Sequence, residues 1–405
     1  MDTASGLPNL RHLLGIVAIA DQGTLSAAAD VVNLSQPALT QGIAKIESRL
    51  GMAMFRRSSR GMALTDPGRL FVDRLRRGIG FLHRAGDMAG QPNLARLATL
   101  GQMRALGAVV DHGGFRAAAS ALGVEPSSVS RAFRDLEQNC AAPLLEKTSA
   151  GMRPTLQAER MARLAKLAIR EVRQALDDIQ GWQGRYEGRL AIGCLPLVQP
   201  MILPEALVRF APEFPNVAPQ VIDGLYASLA RGLREGELDM VIGALRSHDL
   251  PDGLVQRPLF NDSLVLVARP GHPLADTGTA AAADLSIYPW VAPRLGAPAR
   301  AYFEDLMASL EIPAGVPRPI ETGAHEVMRG LLMRSDRLTV ISAAQVEREI
   351  RLGQLVRIPF PLHDTRREIG VTLSEDWLPS APHRRFLSVL AEVVAETVPM
   401  GGGLG

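Results

Sequence analysis

The first half of this 405-residue chain carries the same pattern twice, at an offset of 90 residues and without a gap. About ten identities fall within about fifty aligned positions, and the apolar positions between them also match. Two copies are too few for a solenoid. We therefore predict two small domains with cores of their own, over residues 7–90 and 94–185. The identical pairs are Asp21 and Asp111, Gly23 and Gly113, Ala27 to Ala29 and Ala117 to Ala119, Glu47 and Glu137, Ser59 and Ser149, Gly61 and Gly151, Met62 and Met152, and Thr65 and Thr155.

Composition limits the class of protein. The chain is 47% apolar and 21% charged, which is typical of folded domains. Its two cysteines, Cys140 and Cys194, cannot build a disulfide framework or complete a four-ligand zinc site. No signal peptide and no apolar run of membrane-spanning length are evident. We expect a cytoplasmic protein with no membrane partner, no metal, no cofactor and no catalytic residue.

Charge is divided unevenly along the chain. Residues 1–185 hold 24 Lys and Arg against 16 Asp and Glu, whereas the remainder holds 20 against 26. The first part is therefore +8 and the rest −6. This split indicates that the N-terminal part meets a polyanion and that the C-terminal part does not.

Each copy predicts three short helices, a hairpin and a longer helix. In the first copy Gly23 ends the first helix, and Ser35 caps the third, with Pro37 in its first turn. Residues 54–64 predict a two-stranded wing with a basic tip. The long helices over 66–89 and 156–184 have apolar stripes, which favour dimerisation helices over ordinary core helices.

The third helix and the wing of the first copy are the candidate DNA-binding surface. A short helix that presents Gln, Thr and Lys beside arginines offers base-edge contacts flanked by phosphate contacts. The alternative is a merely solvated polar face. The candidate residues are Ser35, Gln36, Pro37, Thr40, Gln41, Lys45, Arg56 and Arg60, and in the second copy Ser127, Ser130 and Arg131.

These motifs resemble the winged helix-turn-helix of LysR-type transcriptional regulators. The resemblance is carried by residues 27–29, 34–40, 43, 46–47, 50–51, 54–57, 60, 64–65 and 68. It continues through 188–193, 202–204, 214–215, 236–239, 264–267, 271–274 and 353–356. It implies two winged helix-turn-helix units rich in α-helix, each with a long linker helix. A two-lobed α/β effector domain, similar to periplasmic binding proteins, would follow over residues 188–400. Typical members have one winged unit, so the second is a departure.

The resemblance also implies a small-molecule cleft between the C-terminal lobes. Alternating strands and helices predict an α/β sheet with parallel pairing, and open sheets of this kind bind ligands beyond their strand ends. Many family members place Ser or Thr where this chain has Leu195 and Leu197. Arg246 could pair with an anionic ligand or form a surface ion pair, and Trp290 could be a core residue instead. The candidate cleft residues are Leu195, Pro196, Leu197, Tyr226, Arg246, Trp290 and Thr322.

The predicted function is that of a non-enzymatic, oligomeric regulator. Its expected partners are double-stranded DNA, a small organic effector, anionic or hydroxylated, and further copies of itself in a dimer or tetramer. The alternative is a cytoplasmic small-molecule-binding or enzymatic α/β protein whose winged units serve only protein interaction. A gel-shift assay on the upstream DNA would separate the two hypotheses.

The two copies differ in charge over the third helix and wing. Residues 35–60 have a local balance of +4, whereas the aligned residues 125–150 have −1. Arg56 has become Glu146 in the second copy. We therefore expect the second copy to pair with the first inside one chain, through their long helices, and to add less DNA affinity. This charge difference does not exclude a base contact through Arg131 in the second copy.

Overall fold

The computed structural model describes residues 6–58, 61–149, 151–246, 248–276 and 278–397. Arg60, one of the predicted wing residues, lies outside this part of the chain. A first compact unit ends at Gly188 and a second begins at Arg189. The first contains both copies of the repeat and the second contains the predicted effector domain, and each is described by itself.

The first copy has the predicted three helices, hairpin and long helix. Gly23 and Gly51 end the first and third helices in the left-handed conformation that glycine adopts readily, at φ 74° and 66°. The Ser35 hydroxyl accepts a hydrogen bond from the backbone N–H of Ala38 at the start of the third helix. The elements are α1 (Leu10–Gln22), α2 (Leu25–Val32), α3 (Gln36–Leu50), β1 (Phe55–Ser58), β2 (Gly61–Leu64) and α4 (Asp66–Met88).

The second copy repeats this order after one short extra helix. Gly113 ends its first helix as Gly23 does in the first copy. The third helix begins at Pro126, and its preceding residue, Glu125, makes no capping hydrogen bond through its side chain. The elements are α5 (Leu94–Leu97), α6 (Leu100–His112), α7 (Phe115–Leu122), α8 (Pro126–Glu137), β3 (Leu145–Thr148), β4 (Gly151–Pro154) and α9 (Leu156–Trp182).

The two long helices pack against each other in antiparallel orientation within one chain. Arg74, in the first half of α4, contacts Asp178 near the end of α9. Gln157 at the start of α9 donates a hydrogen bond to the Met88 carbonyl at the end of α4. The expectation of separate cores was wrong, because the buried apolar residues of both copies form one continuous cluster. The apolar stripes of α4 and α9 face one another and so join the two copies.

The C-terminal unit has two lobes. The first lobe is built on a five-stranded sheet in the order β6-β5-β7-β14-β8, in which β5 and β7 are parallel and β14 runs antiparallel to β7 and β8. Its elements are β5 (Gly188–Cys194), α10 (Ile202–Phe210), β6 (Val217–Asp223), α11 (Tyr226–Arg234), β7 (Met240–Ala244), β8 (Leu254–Asp262), β14 (Arg367–Ser374) and α16 (Ala381–Thr397).

The second lobe combines antiparallel and parallel pairs. Strand β9 pairs antiparallel with β12 and β13, while β10 and β11 pair in parallel. The elements are β9 (Leu264–Ala268), α12 (Ala282–Ser286), β10 (Val291–Pro293), α13 (Pro298–Ser309), β11 (Ile320–Thr322), α14 (His325–Met333), β12 (Thr339–Ser342), α15 (Ala343–Arg351) and β13 (Val356–Arg357).

The expectation of parallel pairing therefore holds for only part of the domain. Strand β14 comes late in the chain and inserts between β7 and β8 with the opposite direction. Strand β8 contains Pro258, which lacks a backbone donor, and it lies at the sheet edge, where a strand tolerates proline. Among the described residues, no helix combines the length and apolarity that crossing a membrane requires.

Candidate DNA-binding surface and effector cleft

Helix α3 buries one face and exposes the predicted reading residues on the other. Leu39, Ile43 and Ile46 are buried against the core. The predicted residues Ser35, Gln36, Pro37, Thr40, Gln41 and Lys45 are all exposed. The Thr40 hydroxyl donates to the Gln36 carbonyl at 2.8 Å, which leaves its oxygen free to accept. The exposed row offers amide, hydroxyl and ammonium groups, which suit base edges and phosphates.

The first wing adds positive charge beside this row. Arg56 and Arg57 are exposed on β1, and Arg56 lies opposite Ala63 in the hairpin register. No acidic side chain therefore lies across from Arg56 in the register. Gly61 allows the wing to lie close to the turn after α1, because a side chain at this position would lie 2.4 Å from the Gly23 carbonyl oxygen. Its exposed Arg56 and Arg57 side chains suit phosphate contacts.

The second copy presents a different face. Ser127 and Arg131 are exposed on α8 and Ser130 is half-buried. Asp135 occupies the position of Lys45, and Glu146 that of Arg56. Sequence reasoning missed Arg153, which lies directly opposite Glu146 in the second wing. Because opposite charges at facing positions offset each other, this wing is closer to neutral than the charge of residues 125–150 alone indicates.

A buried ionic cluster joins the two long helices. The Arg74 side chain donates from Nε to Asp178 Oδ2 at 2.8 Å and from Nη1 to Glu171 Oε2 at 3.4 Å. Arg77 Nε lies 3.4 Å from the same Glu171 oxygen. Arg74 is only 2% exposed and Glu171 6%. Charges buried this deeply require partners, so the cluster depends on α4 and α9 staying together.

The C-terminal unit contains a cleft of about 900 Å³, including its open mouth. Its walls come from strand ends and the starts of helices in both lobes. Leu195 follows β5 and packs onto Gly243, where a side chain would lie 2.5 Å from the Leu195 Cδ1 atom. Six of the seven predicted cleft residues line it, namely Leu195, Pro196, Leu197, Tyr226, Arg246 and Thr322.

Tyr226 and Arg246 form the polar centre of the cleft. The Arg246 guanidinium lies 4.4 Å from the centre of the Tyr226 ring, in a cation–π contact. Burial raises the pKa of the Tyr226 phenol, so its hydroxyl remains a donor. Within the described chain, neither the Tyr226 hydroxyl nor Arg246 Nε has a hydrogen-bond partner, although both atoms are buried. Two unsatisfied donors side by side favour an anionic or carbonyl oxygen from a ligand.

Sequence reasoning missed several polar residues of the cleft. Arg294 donates to the Gly224 carbonyl at 3.2 Å, and Arg367 is held by Asp262. His325 lies between Glu349 Oε1 at 3.0 Å and Gln345 Nε2 at 3.3 Å. No carboxylate is among the residues described as lining the cleft, which supports an anionic ligand. Ser342 also lines the cleft at the end of β12, and its position at a strand end is the signal that could have found it.

Trp290 was wrongly placed in the cleft. Its side chain is 1% exposed and packs edge-on against Phe303 in the core of the second lobe, with ring centres 5.9 Å apart. A large aromatic ring next to a strand fills space between layers more readily than it lines an open cleft. Cys194 is buried as well, and that burial raises the pKa of its thiol, which therefore stays protonated and unreactive.

Comparison with known proteins agrees with this architecture. The family model of the bacterial regulatory helix-turn-helix protein, lysR family, matches residues 10–69 and again residues 100–159. The model of the LysR substrate binding domain matches residues 183–395. The HTH-type transcriptional regulator GalR of Pseudomonas putida is 33% identical over 401 residues, 96% of this chain and 98% of its own length. The regulator PcaQ of Agrobacterium fabrum is 29% identical over 279 residues, 69% of this chain and 89% of its own length.

Two solved structures share the fold. Full-length OxyR from Pseudomonas aeruginosa superposes with a TM-score of 0.52 at 18% identity, covering 73% of this chain and 94% of its own. Full-length LysG from Corynebacterium glutamicum, described with its bound effector Arg, gives 0.50 at 18% identity and covers 73% and 97%.

Winged helix-turn-helix units followed by a two-lobed domain with a ligand cleft define a ligand-responsive DNA-binding regulator. The chain belongs to the LysR family of bacterial transcriptional regulators, because that family's models match part of each copy and residues 183–395. The predicted fold class and family are confirmed. The family consists of transcriptional regulators, so the enzymatic alternative is rejected.

Proposed function

We propose that this LysR-type regulator reads DNA mainly through α3 and the first wing. The observation that carries the proposal is the exposed polar row of α3 beside Arg56 and Arg57. Gln41 projects from the middle of that row, where it would reach base edges, whereas Arg56 would contact phosphate. We further propose that the protein acts in the cytoplasm, where the chromosomal DNA of a bacterium lies.

Gel shifts on the DNA upstream of its own gene test this assignment. Gln41→Ala should weaken operator binding by about 1–3 kcal/mol at particular base pairs and leave binding to random DNA unchanged. Arg56→Ala is the matched control, because loss of a phosphate contact weakens both duplexes alike. Equal losses on operator and random DNA for Gln41→Ala would contradict the base-reading role.

The effector is proposed to be a small organic anion with an apolar body. Leu195 and Leu197 supply apolar wall where many family members have hydroxyl groups, and Arg246 with Tyr226 supplies unsatisfied donors. The carboxylate or phosphate of the ligand would lie against Arg246. Binding between two lobes would shift the equilibrium between their arrangements, which is how a ligand alters a regulator.

A thermal-shift screen of small organic anions, followed by titration calorimetry, tests the cleft. Arg246→Ala should weaken binding of any anionic hit roughly tenfold to a hundredfold, since charged hydrogen bonds contribute about 1.5–3 kcal/mol. Arg257→Ala is the control, because Arg257 is exposed on β8 and is not among the cleft residues. Unchanged affinity in Arg246→Ala would remove this residue from the site.

A further inference from the structure

The antiparallel packing of α4 and α9 brings corresponding parts of the two winged units together within a single chain. The end of each long helix contacts the other copy at the end of its third helix or in the loop that follows. The Ala141 backbone N–H donates to the Ala89 carbonyl, and Gln183 Nε2 donates to the Leu50 carbonyl, both at 2.8 Å. Ala141 lies at the 90-residue offset from Gly51, next to Leu50. Equivalent surfaces therefore meet in both directions, as in a homodimer interface.

The buried ionic cluster breaks this symmetry. Under the 90-residue offset Arg74 corresponds to Leu164, whereas Glu171 and Asp178 correspond to Phe81 and Met88. If α4 paired with α4 of another chain in the same way, Arg74 would face Phe81 and Met88. Removing one side of a buried ion pair strongly destabilises it, so the cluster favours pairing of α4 with α9 over either self-pairing.

The helices that this pairing presents are chemically unlike. At the position of Gln41 the second copy has Arg131, and at the position of Lys45 it has Asp135. All four side chains are exposed. Glutamine pairs in bidentate fashion with adenine, whereas arginine pairs with the O6 and N7 atoms of guanine. The two helices therefore offer different groups to the base edges.

We propose that one chain reads two unlike half-sites on one operator, the first through Gln41 on α3 and the second through Arg131 on α8. This inference rests on the proposed DNA-reading role of α3 and extends it to the second copy. The first half-site binds more tightly, since its wing carries Arg56 where the second has Glu146. The asymmetry lies within each chain and holds whatever number of chains assemble.

The test begins with the full-length protein and a random duplex library. The selected duplex is then changed one base pair at a time, and each version is titrated with wild type, Gln41→Ala and Arg131→Ala. Gln41→Ala should abolish a preference of about fivefold to hundredfold for one A·T pair. Arg131→Ala should abolish a preference at a G·C pair in a separate part of the same duplex. Two separate sets of affected base pairs support the proposal.

Three results would overturn it. If both variants relax the same base pairs, or if Arg131→Ala relaxes none, the half-sites are not read as proposed while DNA binding itself stands. If no duplex is enriched, the DNA-reading role fails together with this inference. Arg131→Lys is the matched control, because lysine keeps the charge but loses the two-pronged geometry. It should weaken the G·C preference and keep the salt dependence.

Discussion

The two winged units reach the same fold with different pairs of core residues. In the first copy Gly15 on α1 lies under Leu39 on α3, and a side chain at Gly15 would come within 2.2 Å of the Leu39 Cδ1 atom. In the second copy the corresponding residues are Ala105 and Val129, both buried. The first copy thus pairs a glycine, which has no side chain, with the long side chain of leucine. The second copy pairs two side chains of intermediate size, alanine and valine. Packing is conserved between the copies by compensation, whereas the exposed faces of α3 and α8 have diverged in charge and chemistry.

The largest expected effect comes from the cluster that holds the copies together. Arg74→Leu leaves Glu171 and Asp178 buried with too few partners and should destabilise the paired helices by about 3–5 kcal/mol. Hydrogen exchange of the α4 and α9 amides measures this local opening. Arg76→Leu is the control, because the ion pair between Arg76 and Asp21 is about half exposed and contributes only about 0–1 kcal/mol.

A triple variant sharpens the same test. Combining Arg74→Leu with Glu171→Phe and Asp178→Met gives each position the residue that the other copy carries there. An apolar replacement of a buried ion cluster is often neutral or stabilising, so protection of the α4 amides should recover. If Arg74→Leu and Arg76→Leu lower protection equally, the buried cluster is not what holds the two copies together.

The fold was predictable in the N-terminal half, where the sequence contains the same pattern twice. Helices such as α3 and α8 have matching apolar spacing and recognisable ends, so one copy supports the interpretation of the other. The cluster around Arg74 was not predictable, because Arg and Glu on a long helix normally indicate a solvated face. Its burial depends on a partner helix about a hundred residues away. In the cleft, the residues just after predicted strands were found. Arg294 follows a short strand and His325 begins a helix, and no local sequence pattern marks either position.

The next effect tests compensation in the core. Gly15→Ala should destabilise the first winged unit by about 1–3 kcal/mol, because the added methyl group overlaps Leu39. Adding Leu39→Val reproduces the residue pair of the second copy and should recover part of this loss. A double-mutant cycle by hydrogen exchange of α1 and α3 should therefore give a coupling energy of about 0.5–3 kcal/mol. Strict additivity would show that Gly15 and Leu39 do not compensate for each other in size.

A single substitution can test whether the charge of the wing sets its contribution to DNA binding. Glu146→Arg gives the second wing the residue that the first has at Arg56. If the second wing lies near the duplex, as two unlike half-sites require, affinity should rise and the salt dependence should steepen by about one unit. Arg56→Ala should make it shallower by about the same amount. Binding measured across a salt series checks both, and Glu159→Arg, on exposed surface of α9, is the control for net charge.

The smallest expected effect is a difference between the two copies in how their stability depends on pH. His12 on α1 packs where Gly42 leaves room, and burial together with nearby positive charge, including Lys45, lowers the pKa of its imidazole. The unfolded chain therefore binds more protons than the folded one once the pH falls below about 6.5, so the stability that neutral His12 provides is present above that pH and lost below it.

The second copy has Gln102 at this position, which does not titrate. His12→Gln should consequently flatten the pH dependence of the first winged unit between about pH 5 and about pH 7.5, while leaving that of the second unchanged. Hydrogen exchange of α1 and α6, corrected for the intrinsic pH dependence of exchange, compares the two copies within one sample. The effect should be small, since solvent still reaches part of the ring. An equal pH response of α1 in both proteins would show that His12 does not contribute to it.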